Sequence, residues 1–425
     1  MSERHAGEPL AEPLLEDYSR HPVPADKLVT GWRIGLVVIG VAITIPAFLS
    51  GAQIGHALGV RDGLIAILGG GALIALTAGL TGVVGARTRL PTAMILRGAF
   101  GDSGARAVNS LIGLTLLGWF SVTAQLFGDA LATMSSDLAA TLGNGPIVLG
   151  GAAVMTATTV FGFKALDKLS LAAVPLMALF LVAILILAQP ARLAGMTGGG
   201  GGLGLGQAIS AVAGSFMVGA TIFPDLARYA KTPGHAMLAA GLGFLIGFPA
   251  VLLAAAAASM ASGQSDFLKV IMALGLGGPG LALIIFATWT TNANNIYSAS
   301  LFFAPTLPGV AKWKIVIAAG AAGAGLAWIG LADRFIPFLM FLGVAIPPVA
   351  GIYIAHFLIL RRPPLDGRAV NWPAMAVWTV SFALGGGSVL GLYGSPTGAP
   401  ACDTLILALA AYSGLALASA RTKPA

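Results

Sequence analysis

The residues best suited to chemistry lie in FATWTTNANNIYSAS, residues 286–300. Thr290, Thr291, Asn292, Asn294, Asn295 and Tyr297 crowd one otherwise apolar stretch. An amide or hydroxyl buried without a partner costs roughly 2–7 kcal/mol, so these groups must face one another, a cavity or a ligand. Ala287, Thr290 and Thr291 stand at i, i+3 and i+4 and share one helix face. A carbonyl and two hydroxyls on that face make a half-shell for a hard cation with no carboxylate. The alternative is that the threonines bond back to carbonyls of their own preceding turn.

Three other apolar stretches carry unusual residues. GLVVIGVAITIPAFLSGAQIG contains Pro46, which removes a backbone donor, and Ser50-Gly51 follows about one turn later. AVAGSFMVGATIFPDLARYAK has Gly214 and Gly219 bracketing Ser215 and Phe216, then Pro224. Interruptions at corresponding places in two halves are the sequence sign of inverted repeats. Gly and Pro are also common in membrane helices, where Gly allows close packing. GLTLLGWFSVTAQLFGDAL places Trp119 beside Gly118, followed by Gln125 and Asp129. A mid-span indole is either a flat stacking surface in a cavity or a packed core Trp with its N–H satisfied. Asp225 and Arg228 at i and i+3 read as a helix-end ion pair or a gate at the inner side. His56, His235 and His356 are scattered near span ends and receive no proton-relay role; Pro347-Pro348 marks a kink or a packing site.

These segments need a bilayer to position them. Of 425 residues, 57% are hydrophobic and only 9% charged, far below the ~25% charged of soluble domains. Twelve stretches are long enough to read as spans, at 31–57, 63–86, 106–134, 146–163, 169–189, 207–229, 236–262, 279–302, 315–332, 335–360, 371–394 and 400–420. With both termini on the cytoplasmic side, 19 of the 23 basic residues fall inside. Only Arg61, Arg192, Lys269 and Arg334 fall outside. The positive-inside rule thus accounts for the net charge of +7 without a nucleic-acid partner. Residues 1–30 hold six acids and no secretory signal pattern, which reads as a cytoplasmic tail. The lone Cys402 allows no internal disulfide. No catalytic or phosphate-binding motif appears, so the expectation is not an enzyme. The glycine run 198–202 reads as a flexible connector.

Taken together, PVP at 22–24, GARTRLPTAMILRGAFG, GWFSV, GSFMVGATIFPDLAR, WTTNANNIYSASL and AIPPVAGIYIAHFL resemble the nucleobase–cation symporter family, within it the bacterial cytosine permease group. The resemblance runs in order along nearly the whole chain. It implies an all-α integral membrane protein with a LeuT-type five-plus-five inverted repeat and 12 transmembrane helices. Residues 31–360 would form the transport core, and 361–425 two further helices with a short tail. It implies import of a nucleobase, cytosine or a related pyrimidine or purine, across the bacterial inner membrane. Transport would be by Na⁺ symport with alternating access, or alternatively by H⁺ coupling for a purine or other small N-heterocycle. No cofactor beyond the coupling cation is implied. By position, Trp119 and Phe216 would sandwich the base, with Ser215, the backbone around Gly219, Asn292 and Asn294 reading its edge. The carbonyls of Gly40, Ile43 and Ala287 and the hydroxyls of Thr290 and Thr291 would hold Na⁺. Where the cytosine permease group carries an acid after WTTN, this chain carries Ala293, which leaves the identity of the base open.

Overall fold

The computed structural model describes residues 22–160, 163–189, 202–304, 306–307, 309–363 and 367–421, with Met196 and Gly198. Regular structure among them is helical; the one β-like pairing is an isolated bridge between Val29 and Ala230. The helices used below are α1 Gly31–Ala42, α2 Ile45–Thr88, α3 Thr92–Phe100, α4 Asp102–Met134, α5 Ser136–Leu142, α6 Asn144–Val160, α7 Phe163–Ala188, α8 Leu205–Thr221 and α9 Pro224–Ala227. They continue with α10 Pro233–Ala240, α11 Phe248–Ser262, α12 Phe267–Ala273, α13 Gly277–Phe303, α14 Lys312–Trp328, α15 Phe335–Ala345, α16 Pro347–Ile354, α17 Trp372–Val389 and α18 Pro400–Arg421. Six stretches of described helix are long and apolar enough to cross a bilayer, or seven if the pair α5 and α6, bent by 101°, counts as one. Shorter apolar helices include Gly31–Ala42, Pro175–Ala188 and Trp313–Trp328.

Helix α2 has 44 residues, about 66 Å at 1.5 Å per residue and twice the ~30 Å hydrocarbon depth. It does not run straight. Gly59 takes φ 73° and ψ −165°, a conformation closed to side-chain-bearing residues, and folds the helix back. The loop expected at 58–62 is therefore a single-residue turn, because one glycine is enough to reverse the chain.

Proline sets the other breaks. Pro46 has no N–H, so the Ala42 carbonyl takes the Thr44 amide (3.0 Å) and the Ala47 amide turns to Thr44 (3.0 Å). In the sixth apolar stretch the expected interruption at Gly214 and Gly219 does not occur. Helix α8 runs unbroken through both glycines and ends at Thr221, one turn before Pro224. Gly214 serves close packing instead: a Cβ there would lie 1.9 Å from the Leu339 carbonyl oxygen on α15. The carbonyls freed ahead of Pro224 are captured from outside the helix. Thr81 on α2 donates to Ala220 (2.7 Å) and Tyr353 on α16 donates to Thr221 (2.5 Å). At Pro347-Pro348 the Trp378 indole donates to Ala345 (3.2 Å).

Contacts divide the helices into two groups. Helices α1, α2, α8, α10 and α11 pack on one another, while α4, α6, α13 and α14 form a second set. The groups meet lightly where α2 touches α4 and α13; α7 packs on both, through α11 and α13. Helix α15 lies along α8, and α16 and α17 pack on α18. At one end of the bundle, the Asp225 carboxylate accepts the Thr92 amide that starts α3 (2.7 Å), and Arg228 Nε donates to the Asp225 carbonyl (3.1 Å). His356 is fully buried beside the Tyr412 hydroxyl (3.0 Å), which also accepts from Asn371 (2.9 Å).

Tyr353→Phe removes the donor to the Thr221 carbonyl and leaves a buried acceptor bare. A loss of about 1–3 kcal/mol is expected, read as a lower melting temperature of the purified protein in detergent. An unchanged melting temperature would show that this carbonyl finds another donor.

Candidate functional site

Helix α13 carries polar groups on two faces with different surroundings. Toward the α4–α6 side, Trp289 donates its indole N–H to Thr158 (3.2 Å) and Thr159 donates to the Ala293 carbonyl (3.4 Å). Asn292 is fully buried; its Nδ2 donates to the Phe120 carbonyl (3.0 Å) and approaches Met155 Sδ (3.2 Å), and its Oδ1 accepts from Asn295 (3.5 Å). The resemblance puts Asn292 at the base edge; in the structure its amide is bonded to α4 and to Asn295. The reason is register: Asn292 lies about 100° round the helix from Thr291 and so points with Trp289 toward α4 and α6. Ala287, Thr290, Thr291 and Asn294 follow at three- and four-residue steps on the other face. Ala287 is fully buried and Thr291 half-buried; the side chains of Thr290 and Asn294 lie outside the described part. Back-bonding does occur on this helix, at Thr288, whose hydroxyl donates to Ile284 (2.7 Å).

The two expected stacking rings occupy separate aromatic clusters. Trp119, 8% exposed, meets Phe335 and Phe338 edge-on, with centroids 6.0 and 5.3 Å away. Gly118 makes room for this, since a Cβ would fall 2.6 Å from the Phe338 ring. Phe216 is half-buried and leans on Phe244 and Phe248, centroids 5.2 and 5.1 Å away. Its ring lies across Gly219, where a Cβ would meet it at 2.5 Å. Gly219 therefore sets the position of Phe216. Ser215 is buried and donates to the Val212 carbonyl (2.6 Å), which leaves its oxygen free to accept. Sequence reasoning missed the backing rings Phe244, Phe248, Phe335 and Phe338; their spacing in GFLIGFP and FIPF was the available signal.

The break between α1 and α2 supplies oxygen. Because the Thr44 amide turns to Ala42 and the Ala47 amide to Thr44, no described backbone bond reaches the carbonyl of Gly40 or Ile43. Gly40 is half-buried and Ile43 is buried. Helix α2 begins at this break and touches α13. No group of three or more His, Cys, Asp or Glu gathers among the described residues. The oxygen donors present, carbonyls and hydroxyls, suit a hard cation and not a thiolate- or imidazole-seeking metal. On the α4 side, Gln125 is tied down: its Nε2 donates to Asp333 (3.0 Å) and its Oε1 accepts the Ala332 amide (2.9 Å). Asp129 accepts from Asn144 (2.6 Å).

Several helices long and apolar enough to cross a bilayer, with breaks before Pro46 and Pro224, fit a multi-pass membrane protein. Residues 22–397 match the family described as permeases for cytosine/purines, uracil, thiamine and allantoin, and the chain belongs to that family. The cytosine permease of Escherichia coli (strain K12) is 29% identical over 385 residues, covering 87% of this chain and 88% of that protein. Among solved structures, the inward-facing conformation of Mhp1 superposes with a TM-score of 0.82 at 20% identity, over 95% of this chain and 94% of Mhp1. Mhp1, a nucleobase-cation-symport-1 family transporter, in a closed conformation with bromovinylhydantoin bound, superposes with a TM-score of 0.76 at 21% identity, over 96% of each chain. The expectations of family and of transport without catalysis agree with these relatives.

Two substitutions separate position from contact. Asn292→Ala removes the buried amide that donates to the Phe120 carbonyl and leaves a cavity between α13, α4 and α6; it is expected to lower stability by about 1–3 kcal/mol, with base affinity of the folded protein within about threefold. Gly219→Ala displaces the Phe216 ring and is expected to do the reverse, weakening base binding more than folding. Melting temperatures and equilibrium binding of radiolabelled bases decide both cases.

Proposed function

We propose that this chain imports a nucleobase, cytosine or a related pyrimidine or purine, by Na⁺ symport through alternating access. The observation that carries the reading is the helix break at Pro46, which leaves the carbonyls of Gly40 and Ile43 without a described backbone partner, in a chain whose helix α2 also touches the helix bearing Ala287, Thr290 and Thr291. Those five residues would hold the cation. The base would lie between Trp119 and Phe216, with the Ser215 oxygen, the backbone around Gly219 and Asn294 reading its edge. Asn292 acts behind this set by fixing the rotation of α13 against α4 and α6. Edge reading sets selectivity, since a wrong ring leaves buried polar groups unpaired. Ala293 is fully buried and carries no acid, so the amino or ring N–H of the base must find its acceptor elsewhere.

The architecture proposed is the five-plus-five inverted repeat in residues 31–360, with α17 and α18 as the two added helices of twelve. What supports it is the division into two helix groups and the breaks after α1 and α8, each set by a proline. Residues 1–30 would be a cytoplasmic tail, with both termini on the cytoplasmic side of the bacterial inner membrane. Na⁺ drives uptake by binding the two states differently, stabilising the outward-open one and raising affinity for the base there.

Uptake of labelled base into vesicles is expected to require an inward Na⁺ gradient. A pH gradient that replaces sodium would establish H⁺ coupling instead. Trp119→Ala and Phe216→Ala should each weaken base binding by about 5–150-fold, the loss of a stacking partner worth roughly 1–3 kcal/mol. Near-normal affinity in either variant removes the sandwich. Thr291→Ala should raise the sodium concentration needed for half-maximal uptake while leaving base affinity at saturating sodium unchanged.

A further inference from the structure

The outer faces of α6 and α14 enclose a groove of about 420 Å³ that neither the base nor the cation site uses. Its walls are Leu149, Ala153, Ala157 and Val160 on α6 and Ile317 and Ala321 on α14. The floor is where the helices come closest: a Cβ on Gly320 would lie 2.3 Å from Thr156 Oγ1. Thr156 spends its hydroxyl on the Ala152 carbonyl (2.7 Å), so the lining offers no free donor. Leu149 and Ile317 at the rims are 37% and 47% exposed. In water this would be an aggregation hazard; in a bilayer it is a slot for hydrocarbon.

Two features select the kind of hydrocarbon. From Leu149 to Val160 the groove runs about 16 Å along α6, close to the ~15 Å depth of one leaflet. It therefore fits an acyl chain that stops near the middle of the membrane. On α14 the lining positions 317, 320, 321 and 324 continue backwards at helical spacing to Trp313 and Lys314. Trp313 is 52% exposed, and Lys314 Nζ stands 5.5 Å over its ring. An exposed indole and ammonium one turn beyond an acyl slot make an interfacial anchor with a positive tip. No acid lines the groove to oppose an anion.

We propose that this groove is a phospholipid site. It takes one acyl chain of an anionic glycerophospholipid whose phosphate is held by Lys314, with the glycerol level marked by Trp313. The lipid would brace α6 against α14 in the helix group that contains Asn292. This inference stands apart from the choice of base or cation.

The test uses the full chain purified in detergent and titrated with phosphatidylglycerol or with phosphatidylcholine of the same acyl chains, read by native mass spectrometry. Phosphatidylglycerol should be retained about fivefold better, the factor expected for one basic contact. Lys314→Gln should bring the two lipids level. Ala321→Trp, at an exposed position, should fill the slot and abolish retention of both while the lipid-free melting temperature stays unchanged. Equal retention of the two lipids by the unaltered protein would overturn the proposal. So would undiminished phosphatidylglycerol binding by Ala321→Trp, or a two-chain complex that Ala321→Trp dissociates, which would assign the groove to a second copy.

Discussion

In hydrocarbon every backbone N–H and C=O must find a partner within the protein, and the rest of this structure follows from how the proline-broken helices meet that demand. Each proline deletes a donor and strands a carbonyl. Three of the stranded carbonyls are captured from neighbouring helices: Ala220 by Thr81, Thr221 by Tyr353 and Ala345 by Trp378. These captures bolt α8 to α2 and α16, and α15 to α17. At the Pro46 break, described backbone bonds leave the carbonyls of Gly40 and Ile43 unclaimed.

The helices around these breaks fall into two groups. Helices α4, α6 and α13 are held together by polar links, with Asn292 bonded to Phe120 and Trp289 to Thr158. The other group packs through small residues, where Gly51 and Gly55 let α2 lie against the backbone of α11. Light contact between the groups is what relative motion requires, since densely packed cores resist continuous deformation. Short links cross at the ends: Asp225 caps the first turn of α3, and Gln125 ties α4 to the Leu331–Arg334 turn that leads into α15.

Much of this was readable from residue types. Composition required a polytopic helical protein, because 9% charge cannot clothe a soluble domain of this length. Pro46 and Pro224 marked real breaks, since a missing N–H is a property of the residue and not of its surroundings. Glycine was less informative. Gly214 and Gly219 lie within a regular helix, and only their neighbours, the Leu339 carbonyl and the Phe216 ring, show why a side chain is excluded. Gly59 reverses the chain at the break that Arg61 and Asp62 mark, but within one residue and not through a loop.

What the residues determined alone was the solvent, the helical class, the family and the helix-α13 face bearing Ala287, Thr290 and Thr291, because hydropathy and 3.6-residue periodicity are local. What only the tertiary structure decided was orientation and backing. Asn292 differs from Asn294 by two positions and about 200° of rotation, and nothing local says which of those directions meets α4. The rings behind Trp119 and Phe216 come from α11 and α15, far along the chain. Contacts between distant segments depend on how helices pack, and no single segment encodes that.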